Sequence, residues 1–558
     1  MATEKGYSEH VHTADLTLEN IGQNEDISTA AALATEEEHS LSFWQAVCKY
    51  PHAVFWAIAM SFTIVMEGYD TILIGSFFAY PQFKKAYGTW YPDLHDYVIS
   101  AKWQNAIGAA AASGQVVGLL LNGLVTERFG HRRVIIGYLI SLTAFIFIVF
   151  FAPNAGVLVV GQVLCGIPWG GLGIIGCDYA SEVCPLALRG FLTSFVNICW
   201  IIGQLISAGI LQGLVDNPTE WSYKIPFAIQ WAWPIPLITV AFLAPDSPWW
   251  LVRKGRLADA EKSLKRLSHK VPNEEIRHKL AMLVHTNNLE GTLKTKSSYW
   301  DCFRGTNLRR TEISLIIMTS QALAGESFAY GSTYFFMQAG LSPDNSYKLN
   351  VGGSSLAFVG TVTSWVMANY LGCRTIILGG LSLMSLILLL IGVLAYPAVH
   401  SPGATWTQAV LTLVWLGVYS ATVGPQSFAI AGAISATRLS GQTISLGRGL
   451  YEAVSVVDSV AETYLMNPTA ANLKGKTAFV WFATCFCTLL WAIFRLPEVK
   501  GLTYEELDIL FLRCTPAWKF KSTKINAVQE SDQLQETHIN KNTNNLEVLS
   551  NLSSKKGN

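Results

Sequence analysis

Arg128-Phe129-Gly130-His131-Arg132-Arg133 is a charged turn between two long apolar stretches. A helix that crosses a lipid bilayer needs roughly 20 mostly apolar residues. The stretches on either side of the turn, 104–126 and 134–152, both meet this requirement. The turn therefore predicts two membrane-spanning helices that are joined at one membrane surface.

The composition extends this prediction to most of the chain. Of the 558 residues, 51% are hydrophobic and 14% are charged. Soluble globular proteins carry about 25% charged residues, and a single core stops growing near 250–300 residues. Lys plus Arg and Asp plus Glu both number 39, so the chain lacks the basic excess of a nucleic-acid-binding protein. We therefore expect a membrane protein that binds no nucleic acid.

Twelve stretches are long and apolar enough to cross a bilayer. They lie at approximately 54–79, 104–126, 134–152, 156–180, 191–213, 226–244, 312–338, 350–370, 375–396, 408–432, 444–466 and 477–495. The sequence predicts an all-α membrane protein with five parts: an N-terminal tail at 1–50, a six-helix bundle at 51–244, a linker loop at 245–311, a second six-helix bundle at 312–495 and a C-terminal tail at 496–558.

Landmarks of the first bundle recur in the second. Gly130 corresponds to Gly372 at an offset of 242 residues, Arg189 to Arg438 at 249, and Pro245 to Pro497 at 252. Three landmarks at a nearly constant offset indicate that one six-helix unit occurs twice. Transporters that move two repeats about a central site have this organisation.

Lys and Arg set the expected orientation, because they are enriched in cytoplasmic loops. With both tails inside, the cytoplasmic loops hold Arg128, Arg132, Arg133, Arg189, the basic linker, Arg374 and Arg438. The outer loops then hold chiefly Lys84, Lys85, Lys224, Lys474 and Lys476. We expect both termini in the cytoplasm, disordered polar stretches at 1–50 and at about 515–558, and no cleavable signal peptide.

No pattern predicts an enzyme or a metal site. The ten cysteines are mostly single residues inside apolar stretches, as expected of small buried side chains. His10 and His12 lie two residues apart in a polar tail without a third ligand. We expect no metal, no cofactor and no catalytic activity.

An acidic residue deep in the first span predicts ion coupling. Asp70 is costly to bury as a charged group, so it can exchange a proton as its access to water changes. Glu67 lies three residues earlier on nearly the same helix face and can share this role. The alternative is an acid near the outer end of the span that stays solvated.

The charged turn, with Gly118 upstream and Glu127 as its acid, resembles the signature of the major facilitator superfamily, with His131 in place of an arginine. In this interpretation the arginines dock on helix ends and carboxylates and latch the cytoplasmic face. Plain positive-inside anchoring is the alternative. The expected latch residues are Glu127, Arg128, Arg132, Arg133, Glu182, Arg189, Asp246 and Glu498.

Two longer strings resemble the sugar porter family within that superfamily. One is Pro245-Asp246-Ser247-Pro248-Trp249-Trp250-Leu251-Val252-Arg253-Lys254-Gly255-Arg256, and the other is Leu496-Pro497-Glu498-Val499-Lys500-Gly501-Leu502-Thr503-Tyr504-Glu505-Glu506-Leu507. The resemblance implies the major facilitator fold, with twelve transmembrane helices in two six-helix repeats.

Further strings are similar to fungal α-glucoside (maltose) permeases. They are Glu67-Gly68-Tyr69-Asp70-Thr71, Cys165-Gly166-Ile167-Pro168-Trp169-Gly170, Tyr179-Ala180-Ser181-Glu182-Val183-Cys184-Pro185-Leu186-Ala187-Leu188-Arg189, Gln230-Trp231-Ala232-Trp233-Pro234 and Lys519-Phe520-Lys521-Ser522-Thr523-Lys524. This resemblance implies a monomeric plasma-membrane symporter that carries protons and α-glucosides such as maltose by alternating access.

The same resemblance assigns sugar contacts to Asn197 and Gln321. Amides and indoles are suited to a polyol because they provide donors, acceptors and flat apolar faces. Trp200 and Trp415 are therefore candidate platforms, although an interfacial anchor or a core position is the more common role of a single tryptophan.

The sequence also departs from the family pattern. Gln162 replaces an arginine that many sugar porters carry, and span 7 contains Glu326. At 100° per residue, five residues of span 11 form one stripe: Arg448, Glu452, Ser455, Ser459 and Glu462, with Asp458 at its border. Arg448 and Glu452 can pair because they are four residues apart. The stripe either lines a water-filled path or forms an internal salt-bridge network.

Two other functions stay open at this stage. A protein of the same fold can carry a different solute, for instance a glycosylated or cationic small metabolite attracted by Glu326 and Glu462, and can export it. A nontransporting sugar sensor is the other alternative. Sensors need a long signalling tail, and residues 515–558 contain no evident interaction motif.

Overall fold

The computed structural model describes most of the chain outside its two ends. The described residues are 30, 33–34, 41, 43–92, 95–269, 271–294, 299–435, 439–500, 504–513 and 515–522. Most of both predicted tails, and Arg438, lie outside these ranges, as does the side chain of Arg189.

The first half contains ten helices and one small hairpin among the described residues. They are α1 Phe43–Lys49, α2 Pro51–Ser61, α3 Thr63–Phe77, α4 Pro81–Tyr87, β1 Thr89–Tyr91, β2 Asp96–Val98, α5 Ala101–Phe129, α6 His131–Phe150, α7 Ala155–Val183, α8 Leu186–Leu214, α9 Trp221–Ile229 and α10 Pro234–Leu243. Strands β1 and β2 pair antiparallel, with Trp90 opposite Tyr97.

The connection between the halves is helical. It contains α11 Pro248–Arg253, α12 Leu257–Leu267 and α13 Asn273–Lys294, followed by a 3-10 turn at Tyr299–Phe303. Apolar side chains of these three helices form a separate small core that includes Trp250, Leu264 and Leu280. The segment predicted as a linker loop is therefore a packed helical unit.

The second half repeats the helical pattern of the first. Its helices are α14 Thr306–Leu323, α15 Glu326–Tyr330, α16 Ser332–Gln338, α17 Pro343–Tyr370, α18 Cys373–Leu394, α19 Pro402–Ala421, α20 Val423–Ile434, α21 Ser440–Met466, α22 Ala478–Arg495 and α23 Tyr504–Leu512. Short 3-10 turns lie at Gln230–Ala232, Pro397–Val399, Lys474–Thr477 and Ala517–Ser522.

Helices are present at all twelve predicted spans, and among the described residues ten of these spans are apolar enough over a sufficient length to cross a membrane. The other two are span 7, which is divided into α14, α15 and α16, and span 11, which is α21 with its four charged residues. Span 7 breaks where Gly325 adopts a positive φ of 95°. The two exceptions are thus the spans that carry the unexpected acids.

Equivalent contacts in the two halves reflect the sequence repeat. The Arg132 guanidinium, at the start of α6, donates to the carbonyl of Phe242 near the end of α10. The Arg374 guanidinium, at the start of α18, donates to the carbonyl of Ile493 near the end of α22 over 2.7 Å. Each half therefore ties the third span to the C-terminal end of its sixth.

The two halves contact each other at the membrane surface opposite the linker, here called the far side. Their main helix pairs are α5 with α21 and α8 with α17. Hydrogen bonds across this contact include Asn467 Nδ2 to Gln104 Oε1 at 2.7 Å, Asn467 Nδ2 to the Ile99 carbonyl at 3.1 Å, Gln212 Nε2 to Asp344 Oδ1 at 2.8 Å and Tyr347 OH to the Ser76 carbonyl at 2.7 Å. These bonds close the far side of the molecule.

Candidate functional site

A central cavity of about 420 Å³ lies between the two halves. Its volume falls within the range of roughly 300–1,000 Å³ that is typical of small-molecule sites. Nine of the predicted site residues line it: Glu67, Asp70, Asn197, Trp200, Gln321, Glu326, Arg448, Glu452 and Glu462. The fold therefore brings residues from spans 1, 5, 7 and 11 around one space.

Asp70 lies in the middle of α3 with 4% of its surface exposed. Its Oδ1 accepts a hydrogen bond of 2.7 Å from Nε2 of Gln230, which is also buried. An amide suits a carboxyl group that changes protonation state, because it donates to the ionised form and accepts from the protonated form. Glu67, one turn earlier, packs against Gly173 of α7, where an added Cβ would lie 2.6 Å from Glu67 Oε2.

Among the described residues that line the cavity, Arg448 is the only Lys or Arg. Its Nε donates to Glu452 Oε1 over 2.9 Å, which confirms the predicted pair. The guanidinium lies 5.7 Å from the ring centre of Phe428 and 5.6 Å from that of Tyr451. Arg448 thus forms an ion pair with Glu452 on the cavity wall.

The stripe predicted on span 11 faces the cavity. Arg448, Glu452, Ser455, Ser459 and Glu462 all line it, whereas Asp458 does not. Glu462 Oε2 accepts a hydrogen bond of 2.6 Å from the indole Nε1 of Trp481. Asp458 is 7% exposed, and its Oδ2 has no partner among the described residues.

Two tyrosines organise the span 7 side of the cavity. Tyr451 OH donates to Glu326, at 3.0 Å from Oε2 and 3.2 Å from Oε1. Tyr419 OH donates to Gln321 Oε1 over 3.2 Å. Glu326 is the first residue of α15, directly after the break at Gly325, so its carboxylate is held beside the interruption of this span.

The two candidate tryptophan platforms occupy different environments. Trp200 lines the cavity, with its ring 5.9 Å from that of Tyr330 in an edge-on arrangement. Trp415 is 1% exposed, stacks on Tyr419 at 5.4 Å and does not line the cavity. Trp200 can therefore meet a solute in this conformation, and Trp415 packs against a cavity residue.

Glu182 is the centre of the charged cluster on the linker side. Its carboxylate accepts hydrogen bonds from Arg253 and Ser247 of the linker. His131 Nδ1 lies 3.6 Å from Glu182 Oε2. Gly130 adopts a φ of 84°, and an added Cβ there would lie 3.0 Å from the Trp250 ring. The turn, span 4 and the linker therefore dock together at this surface.

Other predicted latch residues have different surroundings. Arg132 caps the end of α10 as described above, and Arg128 lies over its neighbour Phe129. The side chains of Glu127 and Arg133 are exposed, and Asp246 is half-buried. Glu498 is buried against Gly372 and accepts the backbone N–H groups of Val499 and Lys500, each at 3.1 Å.

Sequence reasoning did not single out four side chains that hold the cavity acids or the predicted amide: Gln230, Tyr419, Tyr451 and Trp481. Gln230 belongs to a string that was recognised, but only as a family marker. Tyr451 lies one residue before Glu452 on the charged face of α21, so the position of that stripe could have indicated it. Gln162, where many porters have an arginine, is 1% exposed and does not line the cavity.

The fold matches solved structures of transporters. The xylose transporter XylE from E. coli, in a partially occluded inward-open conformation, superposes with a TM-score of 0.66 at 16% identity, over 81% of this chain and 100% of that one. The proton:xylose symporter XylE bound to 6-bromo-6-deoxy-D-glucose gives 0.66 at 17% identity, over 83% and 99%. The chain has the twelve-helix major facilitator fold, a fold of multi-pass membrane transporters.

The family follows from the sequence comparison. Residues 56–511 match the profile of the sugar (and other) transporter family, so the chain belongs to that family. It is 38% identical to maltose permease MAL61 of Saccharomyces cerevisiae, over 88% of this chain and 81% of that protein. It is 36% identical to the general alpha-glucoside permease of the same species, over 92% and 84%.

Proposed function

We propose that this protein carries α-glucosides such as maltose across the plasma membrane together with protons. Its relatives at 36–38% identity are named as maltose and alpha-glucoside permeases. The observation that carries the proposal is Asp70, a buried carboxyl group held by a neutral amide on the wall of the central cavity. A group in this position can bind a proton from one side and release it to the other.

Several cavity residues have the chemistry that a sugar needs. Asn197 and Gln321 offer amide donors and acceptors to hydroxyl groups, and Trp200 offers a flat face to sugar C–H groups. Tyr419 fixes the orientation of the Gln321 amide. In this proposal Asp70 and Glu67 carry the proton, while Glu326 accepts hydroxyl hydrogens of the sugar.

Alternating access assigns a role to each end of the molecule. The positive-inside pattern supports a cytoplasmic linker and cytoplasmic tails, so the far side faces the exterior. The bonds of Asn467, Asp344 and Tyr347 then close the outer gate. The Glu182 cluster holds span 4 to the linker at the inner surface. In this proposal the two six-helix halves separate at that surface to release the solute. In this proposal one chain is sufficient for transport, since the cavity lies within it.

Purified protein in liposomes tests the proposal. Labelled maltose should accumulate inside when the outside is made acidic, and a protonophore should abolish the accumulation. One proton that crosses 100 mV is worth about 2.3 kcal/mol, or roughly fifty-fold accumulation. Proton coupling would be contradicted if active, correctly oriented protein only equilibrated maltose across the membrane, with the same internal maltose concentration with and without the pH gradient.

A second candidate substrate is a cationic small metabolite. The observation in its favour is the excess of carboxylates on the cavity wall, where Glu326, Glu452 and Glu462 accompany Glu67 and Asp70 and face one arginine. The same liposomes separate the two candidates. If unlabelled glucosides reduce the uptake of labelled maltose, the α-glucoside proposal is supported. If only amino sugars reduce it, the cationic metabolite is supported.

A further inference from the structure

Glu462 is an acidic residue of the second half that the proposed mechanism does not use. It lines the central cavity and is 8% exposed. Glu462 lies one turn before the C-terminal end of α21, where Asn467 bonds to Gln104 and to the Ile99 carbonyl and closes the far side. The carboxyl group is therefore on the cavity side of the outer gate. Opening of that gate would bring exterior water to it.

The repeat relates the surroundings of Glu462 to those of Asp70. Asp70 accepts a hydrogen bond from Gln230 in the sixth span of the first half. Glu462 accepts one from Trp481 in the sixth span of the second half. Gln230 and Trp481 are 251 residues apart, which lies within the offsets of 242–252 that relate the halves. Gln230 and Trp481 thus lie at equivalent positions of the last span in each half. Each donates a neutral N–H group to one carboxyl group on the cavity wall.

Among the described residues of α21, no basic side chain lies near Glu462 to offset a negative charge on its carboxyl group. Asp458, one helical turn earlier, is the nearest charged residue of α21 and is also an acid. The Oδ2 atom of Asp458 is buried without a partner. Two buried carboxylates one turn apart repel each other, so a proton on one of them relieves the repulsion.

Among the described residues that line the cavity, none near Glu462 is a cation. Lys102 of α5 is exposed and does not line the cavity. Helix α5 contributes the uncharged Gln104 and Gly108. Arg448 lies about four helical turns from Glu462 along α21 and is paired with Glu452. The other titratable groups on the cavity wall are Glu67, Asp70, Glu326, Tyr330, Tyr334, Tyr419 and Tyr451. Lys474 and Lys476 are exposed, and the Lys476 ammonium lies over the ring of Tyr396 at 4.9 Å.

We propose that Glu462 is a second proton-binding site, so that each transport cycle moves two protons, one on each half of the molecule. The Glu462 carboxylate takes a proton from exterior water while the outer gate is open. It enters the closed state as the neutral acid and releases the proton into the cavity when the inner side opens. The inference rests on the proposed function, because it adds a proton to the one carried at Asp70.

The number of protons per solute tests this inference. Full-length protein in liposomes is given labelled maltose, and initial proton and maltose fluxes are measured together. We expect two protons per maltose for the unchanged protein and one for Glu462→Gln. Tyr464→Phe, at an exposed position of α21 that does not line the cavity, is the control and should keep two. A ratio of one in the unchanged protein, or of two in Glu462→Gln, overturns the inference.

Loss of the proposed function gives a different result: the unchanged protein then shows no proton flux with maltose at all. A second measurement needs no variant and covers the case in which Glu462→Gln does not fold. Dicyclohexylcarbodiimide modifies protonated carboxyl groups in apolar surroundings, and mass spectrometry locates the adduct. We expect modification at both Asp70 and Glu462 at mildly acidic pH and its loss at alkaline pH. Modification of Asp70 without Glu462 overturns the inference.

Discussion

At the scale of single residues, the position of Asp70 determines what the protein can do. The residue combines near-complete burial with a place on the cavity wall and a hydrogen bond to a neutral amide. A permanently charged group in such a place costs several kcal/mol. A group that binds and releases a proton avoids this cost during the transition between the two access states.

Replacement of this carboxyl group should separate coupling from transport. Asp70→Asn keeps the volume and a hydrogen-bonding side chain next to Gln230, but it cannot exchange a proton. We expect acid-driven accumulation of maltose to fall at least about tenfold, while exchange of internal for external maltose stays within about twofold. Loss of both activities in normally folded protein would mean that Asp70 binds the solute.

The two tryptophans provide a second test at this scale. Trp200→Ala removes a ring that lines the cavity, so KM for maltose should rise roughly fivefold, which corresponds to about 1 kcal/mol. Trp415→Phe changes a core residue packed against Tyr419 and should lower thermal stability with little effect on KM. Transport kinetics and thermal unfolding of the two purified variants check this. A larger KM change for Trp415→Phe would place the sugar on its side of Tyr419.

At the scale of elements, small residues allow spans to approach closely. Glycines of α5 face the backbone of α7, and an added Cβ at Gly118 would lie 2.0 Å from the carbonyl oxygen of Ile167. An added Cβ at Gly68 would lie equally close to the carbonyl oxygen of Trp200. Membrane helices use this kind of contact because lipid gives little drive for helix association.

Helix α5 contains its own control for the importance of this packing. Gly118→Ala forces α5 and α7 apart and should destabilise the protein by about 1–3 kcal/mol or more. Gly123→Ala, five residues later, places its Cβ where nothing lies within 4 Å, and should be neutral or slightly stabilising. Apparent melting temperatures in detergent measure both effects. Equal melting temperatures for the two variants would contradict close packing at Gly118.

The elements also show how far the sequence could predict this fold. Long apolar stretches and the charged turns between them predicted helices at all twelve spans, because a helix that crosses lipid needs about 20 mostly apolar residues. The stripe on span 11 was correct because five residues at helical spacing must share a face. The break in span 7 was missed, although Gly325, with its positive φ, permits it.

Contacts between distant side chains could not be predicted in the same way. The partners of Asp70 and Glu462 come from helices 160 and 19 residues away along the chain, and only the packing of the bundle decides which side chains meet. The burial of Trp415 beside Tyr419 depends on the rotation of α19 in the second half. A periodic pattern indicates a face, but the neighbour of that face is a property of the tertiary structure.

At the scale of the whole molecule, the structure is a pair of related six-helix halves closed at the far side. Similar ties from Arg132 and Arg374 keep each half together. The contacts of α5 with α21 and of α8 with α17 join the halves at the surface opposite the linker. Each half can therefore move as a unit about the cavity, which is the motion that alternating access requires.

The movement of protons with the solute is the most direct test of this account. Liposomes with purified protein are placed in weakly buffered medium without any pH gradient, and maltose is added outside. The account predicts that the external medium becomes more alkaline as maltose enters, and that liposomes with Asp70→Asn protein show much less of this change. Entry of labelled maltose at a normal rate with no change in external pH would contradict it.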